Sequence, residues 1–455
     1  MLIFLKKLFS FSIGSFGAGI IAFISIPFLT RVLSPEEYGK GMLFISIAMV
    51  FSNISILGLD QSYARFYDKV NPRILLKRIS LLSIVSIITI SLIILINKNF
   101  INHYFKGEYQ YAYLLIFFLF AQNIFRYILV VVRMEQKGYT FSLLYIGQRF
   151  TELAIIVMFI SIFSAVHVYL IFSSILGFLI PSMFGVIYLF RLMDTQKNNL
   201  NMLESSVQNS SLLKFGLPLM ASTVLITVIL NVDKILLSIF ITEFELGIYT
   251  SALQIALSLN IIQSAFNSFW VPYAYSVYQT EKYKEKFNLI NKFLTVIMVT
   301  FAIVLINFKE AFSMLLGENF KESITLIPML VLMPVFYTLS ETVSIGINLY
   351  KKSYIHFRIS LFILIFQVII LLLLIINFNS TGASIAVGTT FLFLYILRLY
   401  IGQNYVRFIK NFKMLLTVIL TLYFYALFET FFDIMQLSIL FVLFQFMLLI
   451  KLIRR

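Results

Sequence analysis

Fourteen stretches of this chain are long and apolar enough to cross a lipid bilayer. They fall at residues 8–29, 39–59, 79–96, 111–132, 141–163, 168–190, 212–240, 248–271, 289–306, 324–349, 355–376, 383–401, 414–428 and 434–450. A hydrocarbon core about 30 Å thick needs about 20 apolar residues as a helix, whereas a barrel strand needs about ten of alternating polarity. These runs are continuous, so they predict an all-α polytopic membrane protein with about 14 spans. Of 455 residues, 60% are hydrophobic and 12% charged, too few polar groups to cover a soluble fold. There are no cysteines, which excludes disulfides, thiolate catalysis and Cys-based metal sites. Residues 1–7 are basic and lead into span 1 without a small-residue cleavage site, so that span is expected to be retained.

The net charge is +15. In a soluble protein that would suggest nucleic acid; here it sorts by loop. With the termini and alternate loops on one side, twenty-five of the 35 basic residues lie there and six on the other. The remaining four, Arg126, Arg149, Lys234 and Arg398, fall inside spans. Such asymmetry marks the cytoplasmic side, so both termini are expected to be cytoplasmic and no nucleic-acid partner is implied.

Three loop motifs recur at nearly one offset. Ser34-Pro-Glu-Glu-Tyr-Gly39 returns as Thr242-Glu-Phe-Glu-Leu-Gly247; Gly107-Glu-Tyr109 as Gly317-Glu-Asn-Phe320; and Lys137-Gly-Tyr139 as Lys352-Ser-Tyr354. In register with the spans, they predict two six-helix lobes, residues 1–205 and 206–405, related by a parallel repeat. Residues 406–455 add two further helices. Repeats of this kind mark alternating-access transporters, with substrate between the halves.

No P-loop, HExxH or nucleophile elbow occurs, so no enzyme, catalytic residue or metal site is expected. Charges within spans are the better lead, since each is costly unless it meets a partner or water. The candidates are Asp233 and Lys234 in span 7, Arg149 and Glu152 on one face of span 5, Glu341 in span 10, and Arg31 at the outer end of span 1. Arg126 and Arg398 lie near cytoplasmic ends, where snorkelling explains them as well as function does. Polar stripes accompany the charges. Thr223, Thr227, Asn231 and Lys234 share an arc of about 80° on span 7. Ser46, Asn53 and Asp60 repeat every seven residues on span 2; Asn260, Gln263 and Asn267 share a face of span 8. A cavity of amides, hydroxyls and cations suits sugar hydroxyls and a phosphate.

The run Pro27-Phe-Leu-Thr-Arg31-Val-Leu-Ser-Pro-Glu-Glu-Tyr-Gly39, then Leu57-Gly-Leu59, Gly216-Leu-Pro218-Leu, Asp233-Lys-Ile-Leu-Leu, Gly247-Ile-Tyr249 and Pro272, resembles bacterial polysaccharide flippases of the O-antigen and capsule type. These belong to the superfamily of multidrug extruders and the lipid II flippase. The similarity spans about residues 8–405. It implies two six-helix lobes in a V, with spans 1, 2, 7 and 8 facing a central cavity. It also implies a bacterial cytoplasmic-membrane location and a cargo of undecaprenyl-pyrophosphate-linked oligosaccharide. Membrane lipids, a polysaccharide polymerase and a chain-length regulator are the implied partners. No cofactor is implied, and H+ or Na+ would be the coupling ion. Arg31 and Asp233 match the family's recurring positions. An ion-coupled drug or organic-cation exporter of the same fold is the alternative; cation cargo wants unpaired acids, pyrophosphate wants Lys and Arg. The intramembrane bases slightly outnumber the acids, which favours the flippase. A polymerase would need a long outer loop, and no loop exceeds about twenty residues.

A reporter fused after Arg455 that is active only in the cytoplasm should be active, and a fusion active only outside should be silent. The reverse pattern would invert the topology.

Overall fold

The computed structural model describes residues 2–105, 110–163, 166–195, 208–350, 352–432 and 435–454. Residues 107–109 of the second repeat motif, and Lys106, Lys197, Lys351 and Arg455 of the charge pattern, lie outside them. The described residues form an all-helical membrane protein.

Spans 1 to 6 are α1 (Leu2–Val32), α2 (Pro35–Ser55) continued by α3 (Leu59–Phe66), α4 (Pro72–Ile96), α6 (Tyr111–Met134), α7 (Gly138–Ile162) and α8 (His167–Thr195); a short α5 (Lys98–Tyr104) precedes α6. Span 7 is α9 (Asn209–Ile229) with α10 (Val232–Phe240), and span 8 is α11 (Glu243–Leu257) with α12 (Asn260–Val277). Span 9 is α13 (Tyr283–Asn307), followed by α14 (Lys309–Leu315) and a 3-10 turn (Glu318–Thr325). Span 10 is α15 (Ile327–Val343) with α16 (Ile345–Leu349). Spans 11 and 12 run on as α17 (Ser353–Tyr405); α18 (Phe412–Phe431) and α19 (Met435–Arg454) close the chain.

Ten of these helices are long and apolar enough to cross a membrane, and the bent pair α2–α3 makes an eleventh. α17 counts as two. Straight, its 53 residues would reach about 80 Å, far beyond a bilayer core of about 30 Å. Asn379, at φ 49° and ψ −132°, folds it back on itself. Phe393 then packs beside Phe366 and Phe362, with ring centroids 4.7 and 5.9 Å away. The broken pair α11–α12 and the short α19 complete the fourteen.

The repeat is legible in the backbone. Ser34 Oγ accepts the Glu37 N–H at 3.3 Å, and Thr242 Oγ1 accepts the Glu245 N–H at 3.2 Å, the same N-cap 208 residues on. α4 and α13 each have 25 residues, and α5 and α14 each have seven. Between them Asn97 and Phe308 adopt the same C-cap conformation, at φ −96°.

Two compact units emerge, one of Met1–Ala22 and Lys40–Asn231, the other of Phe23–Gly39 and Val232–Arg455. The division falls inside spans 1, 2 and 7 rather than between spans 6 and 7. In the first unit, α6 packs against α8, α4, α7 and α3, and α3 packs on α9. In the second, α15 is buried along nearly its whole length among α17, α13, α11 and α18.

Glycines set two close backbone approaches. In the second unit, a Cβ on Gly247 would lie 1.9 Å from the Pro35 carbonyl oxygen, and one on Gly39 would meet the Gly247 nitrogen at 2.8 Å. The repeat-equivalent glycines therefore touch each other. In the first unit, Leu57 and Gly58 have φ of 53° and 65°, which ends α2 and turns the chain by 46° into α3. A Cβ on Gly58 would lie 2.2 Å from the Gly216 carbonyl oxygen of α9.

Gly247→Ala should lower thermal stability, an overpacking cost of about 1–3 kcal/mol. Gly147→Ala, with no atom within 4 Å of its Cβ, should leave it unchanged or raise it slightly. Equal melting of both variants in detergent would refute the tight seam.

Candidate functional site

The spans that carry the polar stripes are the spans that break. Asp60 stands in the first turn of α3 and Asp233 in the first turn of α10, where helix N-termini favour negative charge. Discontinuous helices of this sort build the substrate and ion sites of many transporters.

Around Asp60 the first unit assembles a polar network. Arg126, on α6, donates from Nε and Nη2 to Asp60 Oδ2 at 3.1 and 2.9 Å, and from Nη1 to Asn53 Oδ1 at 2.5 Å. Gln61 also donates to Oδ2, at 3.0 Å. Asn53 Nδ2 reaches Thr227 Oγ1 at 3.1 Å, and Asn231 Nδ2 bonds the Thr227 carbonyl at 2.8 Å. So Asn53, Asp60, Thr227 and Asn231 form one chain, with Arg126 at its centre. Arg126 is not a snorkelling residue; it is the partner of Asp60. Just past α3, burial and the Glu135 carboxylate push the Tyr67 phenol up, and its hydroxyl donates to Glu135.

A second cluster in this unit sits on α7. Arg149 Nη1 meets Glu152 Oε2 at 2.9 Å within one helix face. Gln148 donates to the same oxygen at 3.0 Å, and Ser174 of α8 donates to Oε1 at 2.7 Å.

In the second unit Asp233 is fully buried. Tyr249 donates to its Oδ2 at 2.6 Å, and Lys234 Nζ lies 3.6 Å from Oδ1. Glu341 Oε1 accepts from Arg398 Nη1 at 2.6 Å; the same Nη1 reaches Ser340 Oγ at 2.9 Å, and the guanidinium stands over the Tyr337 ring. Arg398 is therefore a buried partner of Glu341 and does not snorkel. Trp270 of α12 donates to the Glu341 carbonyl, which brings the Asn260–Gln263–Asn267 helix beside α15. Those three amides are half-buried. Arg31 is exposed in the last turn of α1, beside Gly317.

One buried pair lies where the charge pattern placed a loop residue. Lys309, at the start of α14, is 5% exposed; its Nζ meets Glu429 Oε2 of α18 at 2.9 Å, and Ser438 of α19 donates to the other oxygen. It fastens the last two helices to the second unit. The sequence signal was limited to Glu429 at the end of span 13 and the Lys309-Glu310 step after span 9.

Among the described residues no group of three or more acids or histidines could hold a metal ion.

The polysaccharide biosynthesis protein family matches residues 4–277. The chain belongs to this family. Its fold is that of the lipid II flippase MurJ in an inward closed conformation, at a TM-score of 0.65 and 14% identity over 97% of each chain. It is also that of a multidrug resistance MATE transporter of the MOP superfamily. The inward-facing form scores 0.63 at 16% identity, covering 85% of this chain and 94% of that one. The outward-facing form scores 0.62 at 18%, covering 88% and 95%. No curated protein sequence matches the chain.

Lys309→Met should destabilise the protein by about 3–5 kcal/mol, because it strands a buried carboxylate. Adding Glu429→Leu should recover most of that loss in a double-mutant cycle of unfolding. Additive losses would show that the pair does not couple.

Proposed function

We propose that this family member is a flippase, carrying undecaprenyl-pyrophosphate-linked oligosaccharide repeat units across the bacterial cytoplasmic membrane by alternating access. On this reading both termini are cytoplasmic, no bond is made or broken, and the export serves O-antigen, lipopolysaccharide or capsule synthesis beside a polymerase and a chain-length regulator. Arg31, Arg149 and Lys234 would meet the phosphates, the amides of α2 and α12 the sugars. A proton or Na+ at Asp233 or Asp60 would reset the cycle.

One observation supports an anionic cargo. The excess of bases read in the sequence reduces to pairs, for each intramembrane acid, Asp60, Glu152, Asp233 and Glu341, is held by a cation. Among the described residues, each of these four carboxylates has a cation within 4 Å. In the first unit the pairs also present their positive member: Arg126 is 26% exposed against 3% for Asp60, and Arg149 is 41% exposed against 21% for Glu152. A pyrophosphate needs such accessible cations because a bare charge costs many kcal/mol in hydrocarbon.

Cation export has one feature in its favour: in the second unit Glu341 is more exposed than Arg398, 26% against 5%.

Arg149→Ala should abolish surface polysaccharide while the protein stays in the membrane, and Arg149→Glu should be worse because it adds repulsion. Lipid-linked oligosaccharide should accumulate, and drug resistance should not change. Normal polysaccharide together with lost drug resistance would favour the exporter.

A further inference from the structure

The Asp60–Arg126 pair is built lopsidedly. A guanidinium and a carboxylate pair best fork to fork, two N–H groups on two oxygens. Here two N–H groups of Arg126 converge on Oδ2 alone, and Gln61 adds a third donor to the same oxygen. The other oxygen, Oδ1, is buried and accepts no hydrogen bond. The cation is also the accessible member of the pair, so in this state Arg126 is more open to an anion than Asp60 is to a cation.

The surroundings suit an exchange of partners. Asp60 rides on α3, which hangs from α2 by the two left-handed residues Leu57 and Gly58. A change at that joint moves Asp60 without unfolding either helix. Arg126 belongs to α6, whose unbroken helix packs on five others of the unit, and Asn53 steadies its Nη1 from the far side. Arg126 lies eight residues from the end of α6, about 12 Å along its axis. On the proposed orientation this is the cytoplasmic third of the membrane, where a lipid-linked cargo is loaded.

We propose that Arg126 is a binding site for the pyrophosphate end of a polyprenyl-linked cargo, and that Asp60 is its counter-ion in the empty state. Loading replaces the one-oxygen grip on Asp60 with a two-oxygen grip on phosphate; release returns the guanidinium to Asp60. Asp60 keeps the empty site neutral and sets how tightly cargo is held. This rests on the flippase reading above.

The test uses the full chain in nanodiscs, with geranylgeranyl pyrophosphate as probe, and geranylgeraniol, inorganic pyrophosphate and phosphatidylglycerol as comparisons. Wild type should prefer the polyprenyl pyrophosphate to all three. Arg126→Gln should weaken its binding about tenfold or more, the scale of a lost charge-assisted bidentate contact. Arg126→Lys, which keeps the charge and loses the fork, should fall between. Asp60→Asn should tighten binding and yet reduce polysaccharide export in cells. Opposite movements of affinity and export are not what a folding defect produces, and melting temperatures of the four proteins check folding directly. If wild type shows the preference and neither Arg126→Gln nor Asp60→Asn changes it, this site is wrong and the flippase reading stands. If wild type binds geranylgeraniol or phosphatidylglycerol equally well, both readings fall. If inorganic pyrophosphate binds as tightly as the polyprenyl form, the site is a general phosphate site and the assignment to lipid cargo fails.

Discussion

Everything in this fold answers to the cost of a charge away from water. Four basic side chains inside the spans each have a carboxylate within 4 Å: Arg126 with Asp60, Arg149 with Glu152, Lys234 with Asp233, and Arg398 with Glu341. Lys309 and Glu429 obey the same rule near the end of the last helix pair. Lipid tails are as apolar as leucine, so burial of apolar surface alone does not choose neighbours among so many similar helices. The ion pairs do choose. Arg126 brings α6 to α3, Arg398 brings α17 to α15, and Lys309 brings α14 to α18. The Arg149 pair lies within α7 but reaches α8 through Ser174.

Close backbone approach is the second constraint, and it falls on the same helices. α2 begins against the start of α11 through Gly39 and Gly247. It ends at Gly58, whose neighbour is the Gly216 carbonyl of α9. The polar groups that matter, Asn53 and Asp60, lie along and just beyond this helix. The break between Asn53 and Asp60 divides one network between two helical segments. It also leaves α3 a joint of its own.

The spans, their helical character and the repeat were all legible because each rests on local chemistry: runs of apolar residues, loop charges and capping pairs such as Ser34 with Glu37 and Thr242 with Glu245. The break in span 7 could be anticipated from Asn231-Val-Asp233-Lys234, a polar step in an apolar run. The pairings were not legible. Arg126 is 66 residues from Asp60 and Arg398 is 57 from Glu341, and nothing local distinguishes an arginine that snorkels from one that finds an acid on another helix. Lys309 failed for the same reason: followed by Glu310 after an apolar run, it reads as a loop residue until α18 and α19 are placed over it. Polar stripes proved a mixed guide. Thr223 and Thr227 mostly bond carbonyls one turn back on their own helix, whereas Asn53, from the same kind of pattern, joins two helices.

The repeat duplicates the scaffold but not the charge. α6 starts at Tyr111 and α15 at Ile327; Arg126 lies fifteen residues into the first and Glu341 fourteen residues into the second. Corresponding helices thus carry opposite charges at the same depth. Each charge takes its counter-ion from elsewhere in its own unit, Arg126 from α3 and Glu341 from α17. In both pairs the member on the repeated helix is the more exposed, so the first unit offers a cation where the second offers an acid. A carrier of neutral cargo has no use for that difference. For the anionic cargo proposed above, Arg126 would offer a cation at a depth where Glu341 offers none. Because the backbones match, this difference in charge rests on a few side chains and not on a different fold.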